Sequence, residues 1–86
     1  MTFNDILKKY ELPTLDEWQQ AVDIHIYDNC SELYHLFLLK TDHIPNKIIE
    51  AQILNKEIDD NYIIILEHRQ FARDEINRIA AEEMVG

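Results

Sequence analysis

The chain has 86 residues and a net charge of −9, and its one glycine is Gly86. Walker phosphate loops and dinucleotide fingerprints need glycines where the backbone approaches phosphate, so both motifs are excluded. Seventeen acidic residues stand against eight basic ones and leave no basic patch, which argues against binding to nucleic acid or to an anionic membrane. We therefore expect no cofactor, no nucleic-acid partner and no membrane association.

The length suits a single helical domain spanning residues 1–86. The hydrophobic fraction of 47% is typical of a globular protein. Cys30 is the single cysteine, so no internal disulfide can form, which is typical of a reducing compartment. The N-terminal segment lacks the apolar core of a signal peptide, and no apolar run is long enough to span a membrane. These features favour a cytoplasmic protein.

The first predicted helix covers residues 3–11. Thr2 and Asp5 have the spacing of a capping box at its start. Apolar residues then recur on one face at helical spacing. We expect the helix to stop before Pro13, because the residue that precedes a proline avoids the α region.

The second predicted helix covers residues 15–39. A capping box at Thr14 begins it, and an apolar stripe continues at the helical period. The polar segment 28–31 interrupts the stripe and leaves open an alternative with two helices. Two polar residues, His25 and Asn29, fall on the stripe. We interpret them as structural polar residues of the core, either a hydrogen-bonded pair or a polar layer that sets the register between helices.

Two more helices are predicted over residues 43–55 and 61–83. Asp42 is the predicted N-cap of the first, and Pro45 lies in its first turn, where a missing N–H is harmless. An aspartate of the polar connection 55–61 can cap the last helix. The whole pattern predicts an all-α fold: a compact three- or four-helix bundle whose last two helices form an antiparallel hairpin, since short connections join antiparallel neighbours.

A basic residue, Arg69, lies at the centre of the apolar face of the last predicted helix. An unpaired guanidinium is costly to bury, so we expect Arg69 to pair with an acidic residue. The candidates are Asp42 and Glu50. Such a pair would be a structural polar group of the core and would tie the last two helices together.

A second apolar face is predicted on the 15–39 helix, opposite the main stripe. Its members are Ile24, Tyr27, Tyr34 and Leu38. A helix that is apolar on two faces needs a cover for the second. That cover is either the first helix or a second copy of the protein, and we take these four residues as a candidate partner interface in a homo-oligomer.

The catalytic and metal-binding patterns are fragments. Glu32 and His35 have the Glu-x-x-His spacing that di-iron bundles use twice, but it occurs once here. Thiol catalysis by Cys30 would need a base, an orienting group and an oxyanion site, for which no signature exists. We expect no catalytic residue, no metal and no enzymatic activity, and a metal enzyme built on Glu32 and His35 is the weakest of three functional hypotheses.

Two segments of the second half carry a pattern that other proteins share. The first is Leu33–His43, LYHLFLLKTDH, followed by Lys47 and Glu50, and the second is Arg69–Asn77, RQFARDEIN. Across residues 33–80 this resembles the helical hairpin of small bacteriophage tail-associated and prophage or mobile-element proteins. His43, where that pattern has tyrosine, and a proline in the following turn are departures from it. The resemblance implies a packing unit of phage or mobile-element origin, cytoplasmic or virion-associated, and no reaction.

The leading functional prediction is a non-enzymatic structural or protein-interaction module that self-associates. Apolar helix faces would supply the affinity, and the acidic exterior would limit nonspecific contacts. The alternative is an acidic regulatory or inhibitory protein that occupies a basic site on a partner. Binding of that second kind weakens as salt is added.

Overall fold

The computed structural model describes residues 2–85 and shows an all-α fold. Across these residues there is no strand, which confirms the predicted fold class and the small helical bundle. The helices are five in the described part of the chain. In chain order they are α1 (Phe3–Lys9), α2 (Leu15–Asp23), α3 (Ser31–Lys40), α4 (Ile44–Ile53) and α5 (Asp60–Val85).

Side-chain caps begin three of these helices. Thr2 Oγ1 accepts from the backbone N–H of Asp5 at 3.2 Å, and the Asp5 carboxylate accepts from the N–H of Thr2 at 3.0 Å, so the predicted capping box is confirmed. The hydrogen bond from the Thr2 backbone also lowers the pKa of Asp5. Thr14 caps α2, and Asp59 accepts from the N–H two residues on at the start of α5. A cap of this kind is worth about 1 kcal/mol.

Three helices are followed by a residue whose backbone has left-handed dihedral angles although the residue is not glycine. Glu11, His25 and Asn55 have φ angles of 60°, 64° and 54°. Each lies directly after the C-cap of its helix, where glycine is the usual choice. The following N–H then bonds back to the carbonyl five residues earlier, which completes a Schellman motif: Leu12 to Leu7 at 2.9 Å, Ile26 to Ala21 at 2.9 Å and Lys56 to Ala51 at 2.8 Å.

The second of these motifs divides the predicted 15–39 helix into α2 and α3. The chain leaves the helical path at His25 and runs through residues 24–30 before α3 begins. His25 is exposed, so the expectation that it lies in the core is wrong. A left-handed residue ends the regular rotation of side chains, and the apolar stripe therefore does not continue through this position. Asn29, at the far end of the connection, is half-buried.

The centre of the molecule is the packing of α3 against α5. The two helices run antiparallel, because Arg69 in the first half of α5 bonds to the end of α3 and Glu83 in its last turns bonds to Asn29 just before α3. Helix α4 also contacts α5. The antiparallel hairpin of the last two helices remains a prediction.

Helix α1 covers the α3–α5 pair through one aromatic ring. The ring of Phe3 lies 4.9 Å from that of Phe37 and 5.9 Å from those of Tyr34 and Phe71, centroid to centroid. All five helices contribute to the core behind it. The buried apolar side chains are Ile6, Leu7, Trp18, Leu33, Tyr34, Phe37, Ile44, Ile48, Ile65, Ala72 and Ile79.

The long last helix makes the molecule elongated. Its 26 residues span about 39 Å, whereas the 10 residues of α3 span about 15 Å. The radius of gyration is 14.9 Å, against about 12 Å for a compact domain of this length. Successive parts of α5 are therefore covered by different elements, with the end of α3 near its start and residues 28–30 near its end.

The left-handed residues that follow α1, α2 and α4 predict where glycine would stabilise the fold. Replacing Glu11 or His25 by glycine should raise the free energy of unfolding by about 0.5–1 kcal/mol each, because only glycine adopts this conformation without a steric penalty. Asn55→Gly should gain less, since asparagine tolerates it. The measurement is urea unfolding. Gln20→Gly, within α2, is the control and should lose about 1 kcal/mol; a loss for His25→Gly as large as for the control would contradict the explanation.

Candidate interaction surfaces

Arg69 is the buried charged residue of the described chain, with 4% of its surface exposed. Its Nη1 donates to the carbonyl of Leu38 and to Thr41 Oγ1, both at 2.7 Å. Its Nη2 donates to Asp42 Oδ1 at 3.4 Å. The carbonyls of the last helical turn have no partner within their own helix and carry partial negative charge. Arg69 thus caps the C-terminus of α3 from a neighbouring helix.

Thr41 completes this Arg69 cluster. Its hydroxyl is fully buried, donates to the carbonyl of Phe37 at 2.8 Å and accepts from Arg69. A buried hydroxyl used in both directions adds no desolvation penalty, because each of its polar functions has a partner. The sequence does not reveal this role of Thr41, because a threonine before an aspartate carries no signal for it.

The predicted pair of Arg69 with Asp42 is confirmed, and Glu50 is not the partner. Two related expectations are wrong. The side chain of Asp42 is 78% exposed, so it lies outside the core, and the N-cap of α4 is His43, with no capping hydrogen bond from its side chain. Asp42 turns towards the guanidinium instead. Arg69 therefore ties α5 to the end of α3 rather than to α4.

The environment of Arg69 opposes its charge. Burial lowers its pKa and the nearby charge of Arg73 lowers it further, while Asp42 acts in the opposite direction. An arginine pKa begins so high that the group stays protonated throughout the physiological range. The cluster is therefore a permanent buried cation held mainly by neutral oxygen acceptors.

Asn29 joins three elements at the other end of α3. Its carbonyl accepts from the indole Nε1 of Trp18 at 3.0 Å, its Oδ1 accepts from the N–H of Ser31 at 2.8 Å, and its side-chain amide donates to the carboxylate of Glu83. The Trp18 ring stacks on Tyr27 at a centroid distance of 4.0 Å. Asn29 is thus a structural polar residue, but it lies in the connection before α3 at the edge of the core and not on a helix stripe within the core.

A cleft of about 440 Å³ lies beside Asn29, between α2, the start of α3 and the end of α5. The guanidinium of Arg78 stands at its edge and bonds to Glu75 at 2.6 Å and Glu82 at 2.7 Å on the same helix. These carboxylates raise the pKa of Arg78. The charge of Arg78 is thus balanced by carboxylates of its own helix.

Two titratable groups line this cleft and are held in their neutral forms. Burial raises the pKa of the Cys30 thiol, whose Sγ lies 3.5 Å from Gln19 Oε1. Burial, with Glu75 as the second cause, raises the pKa of Tyr34 to about 12. A thiol with a raised pKa holds little thiolate at neutral pH and is a poor nucleophile.

The predicted partner interface is divided between two environments. Ile24 and Tyr27 are exposed, whereas Tyr34 is 4% exposed beneath α1 and Leu38 is half-buried. The expectation of one continuous face is therefore wrong, because the first two residues belong to the connection after α2 and the last two to α3. Of the two proposed covers for Tyr34, the first helix is the one observed.

A different apolar face is exposed on α4. Ile44 and Ile48 are buried against the core, while Ile49 and Ile53 are 52% and 75% exposed and Leu54 follows them at the surface. Side chains advance by about 100° per residue, so Ile49 and Ile53 lie on the side away from the core. We call Ile49, Ile53 and Leu54 the α4 outer face.

Metal-binding clusters and membrane-spanning helices are two features that residues 2–85 lack. That span holds no group of three or more His, Cys, Asp and Glu placed to bind a metal ion, and Glu32 and His35 are both exposed. None of its helices combines the length and apolar character needed to cross a membrane. Comparison with protein-family models, with curated proteins and with solved structures gives no match. The resemblance of residues 33–80 to phage and mobile-element proteins remains a prediction.

Removing the Arg69 guanidinium should destabilise the protein. Arg69→Met should lower the free energy of unfolding by about 1–3 kcal/mol, because the Leu38 carbonyl loses its buried donor. Asp42→Asn should change it by less than about 1 kcal/mol, since that partner faces solvent. Thermal and urea unfolding are the measurements, with Arg73→Met on the exposed side of α5 as the control. An unchanged or higher melting temperature for Arg69→Met would contradict the stabilising role of the cluster.

Alkaline pH should weaken the fold through Tyr34. The folded protein raises its pKa from 10 to about 12, so the stabilisation is complete below pH 10 and is lost as pH rises towards about 12, because the unfolded chain releases its proton first. Between about pH 9 and about pH 11 the wild type should lose about 1 kcal/mol more than Tyr34→Phe. Urea unfolding at both pH values measures the difference, and equal losses would exclude Tyr34 as the source.

Proposed function

We propose that this chain is a non-enzymatic protein-interaction module that self-associates. The observation that carries the proposal is the α4 outer face, a set of large apolar side chains on the far side of a helix that already buries Ile44 and Ile48. Large apolar side chains that are exposed together on one short helix are typical of interaction sites. A helix with two apolar sides has its second side covered in the functional state.

The polar groups around the cleft that could take part in catalysis support a non-catalytic role instead. Arg78 is engaged by two carboxylates of its own helix, and the Asn29 amide is engaged by Glu83. Cys30 has a raised pKa, which opposes thiolate formation. An active site needs a nucleophile or base whose pKa is tuned towards the working pH. In this cleft the shifts run away from neutrality.

The second candidate is an acidic regulatory or inhibitory protein that binds a basic site on a partner. It is favoured by the carboxylates of Asp28, Glu82 and Glu83 around the cleft, together with the net charge of −9. Such a surface attracts cationic partners at long range. A phage or mobile-element origin would suit either candidate and rests on the resemblance of residues 33–80; the identity of the neighbouring genes would test it.

Self-association should appear as a concentration-dependent mass. Light scattering behind size exclusion should give a mass that rises from 10.3 kDa towards twice that value between micromolar and millimolar concentrations. Raising the salt from about 0.05 M to about 0.5 M should preserve or strengthen the dimer, because apolar contact is insensitive to salt and the repulsion between acidic copies is screened. Unfolding curves recorded at the same protein concentrations are the control for aggregation.

A strict monomer at every concentration would contradict the proposal. A polylysine peptide added to the same samples distinguishes the second candidate, since an acidic binding surface should retain the peptide at low salt and release it steeply as salt rises. Retention of the peptide by a protein that stays monomeric would favour the regulatory reading.

A further inference from the structure

The net charge is distributed unevenly around the α4 outer face. Residues 1–42 contain eight acidic and three basic residues, and residues 59–86 contain seven and three. The segment 43–58, which contains α4, has two of each: Lys47 and Lys56 against Glu50 and Glu57. The whole excess of −9 therefore lies outside the segment that carries the exposed Ile49 and Ile53.

The neutral charge of this segment indicates which kind of partner binds the α4 outer face. A basic partner would be drawn to the acidic segments and away from α4. Two copies of this chain repel each other wherever acidic segments meet, and they can approach with the least repulsion through the neutral segment. A contact between identical surfaces also uses the same patch on both sides, which the α4 outer face can supply from each copy.

We infer that the α4 outer face binds a second copy of this chain, with the two α4 helices packed antiparallel about a two-fold axis that passes midway between Ile49 and Ile53. The inference rests on the proposed self-association and names its surface. The antiparallel arrangement aligns opposite ends of the two helix dipoles. It places Ile49 of one copy against Ile53 of the other, because both lie two residues from the axis.

The size of the face sets the strength of the contact. An exposed patch of three aliphatic side chains is on the order of a few hundred Å², below the roughly 800 Å² that each partner buries in a stable complex. The dimer is therefore weak, with dissociation in the micromolar range or above. It forms where the protein is locally concentrated.

The first test compares two double substitutions that add the same charge. I49E/I53E should weaken dimerisation at least tenfold in sedimentation equilibrium, because like charges meet across the axis. I26E/L39E is the matched control, since Ile26 and Leu39 are comparably exposed but lie outside α4. Circular dichroism confirms that both variants fold.

The second test fixes the orientation. In I49K/I53E the lysine at 49 of one copy meets the glutamate at 53 of the other if the helices are antiparallel, and like charges meet if they are parallel. We expect this variant to dimerise at least tenfold more tightly than I49E/I53E at low salt and to lose that advantage at high salt.

The outcomes separate the inference from the proposed function. A dimer that is weakened by I26E/L39E and unaffected by I49E/I53E would place self-association elsewhere and overturn the inference alone. Equal weakening in I49K/I53E and I49E/I53E would overturn the antiparallel arrangement. A wild type that stays monomeric would overturn both proposals and leave the α4 outer face to a different protein.

Discussion

The fold depends on one buried cation, the guanidinium of Arg69, which holds three oxygen acceptors at the end of α3. Two of these acceptors, the Leu38 carbonyl and the Thr41 hydroxyl, are neutral, so the interaction is a helix cap more than an ion pair. The guanidinium supplies a hydrogen bond at the end of α3, where the helix offers no donor to its last carbonyls. Burial lowers the arginine pKa without removing its charge. Asp42 is the exposed partner, and it makes the longest of the three contacts. The two shorter contacts lie away from solvent, so salt has limited access to the interaction.

Features encoded by neighbouring residues could be predicted from the sequence. The capping box of Thr2 with Asp5 and the cap at Thr14 were found by spacing alone, because each is a hydrogen bond within four residues of chain. The pairing of Arg69 with Asp42 followed from a different constraint, the cost of leaving a buried charge unpaired. Both kinds of inference use rules that hold whatever the tertiary arrangement.

Features that depend on backbone groups or on burial could not be predicted. The acceptor at Leu38 is a carbonyl, which is invisible in a pattern of side chains. The break at His25 needs a left-handed residue, and without glycine the sequence does not mark that position. The exposure of Ile49 and Ile53 is not marked in the sequence, because an apolar pattern records hydrophobicity and not exposure. For the same reason the predicted interface includes Tyr34, although α1 covers that side chain.

The Arg69 cluster also determines how the α4 outer face is presented. Helix α3 ends at Lys40 and α4 begins at Ile44, so three residues separate them, and Arg69 holds Thr41 and Asp42 among these. So short a connection leaves the second helix little freedom relative to the first. The direction in which Ile49 and Ile53 point from the body is thus set by a hydrogen-bonded cluster on the other side of the turn. A rigid base under a small apolar face lowers the entropy lost on association, which matters most when the buried area is small.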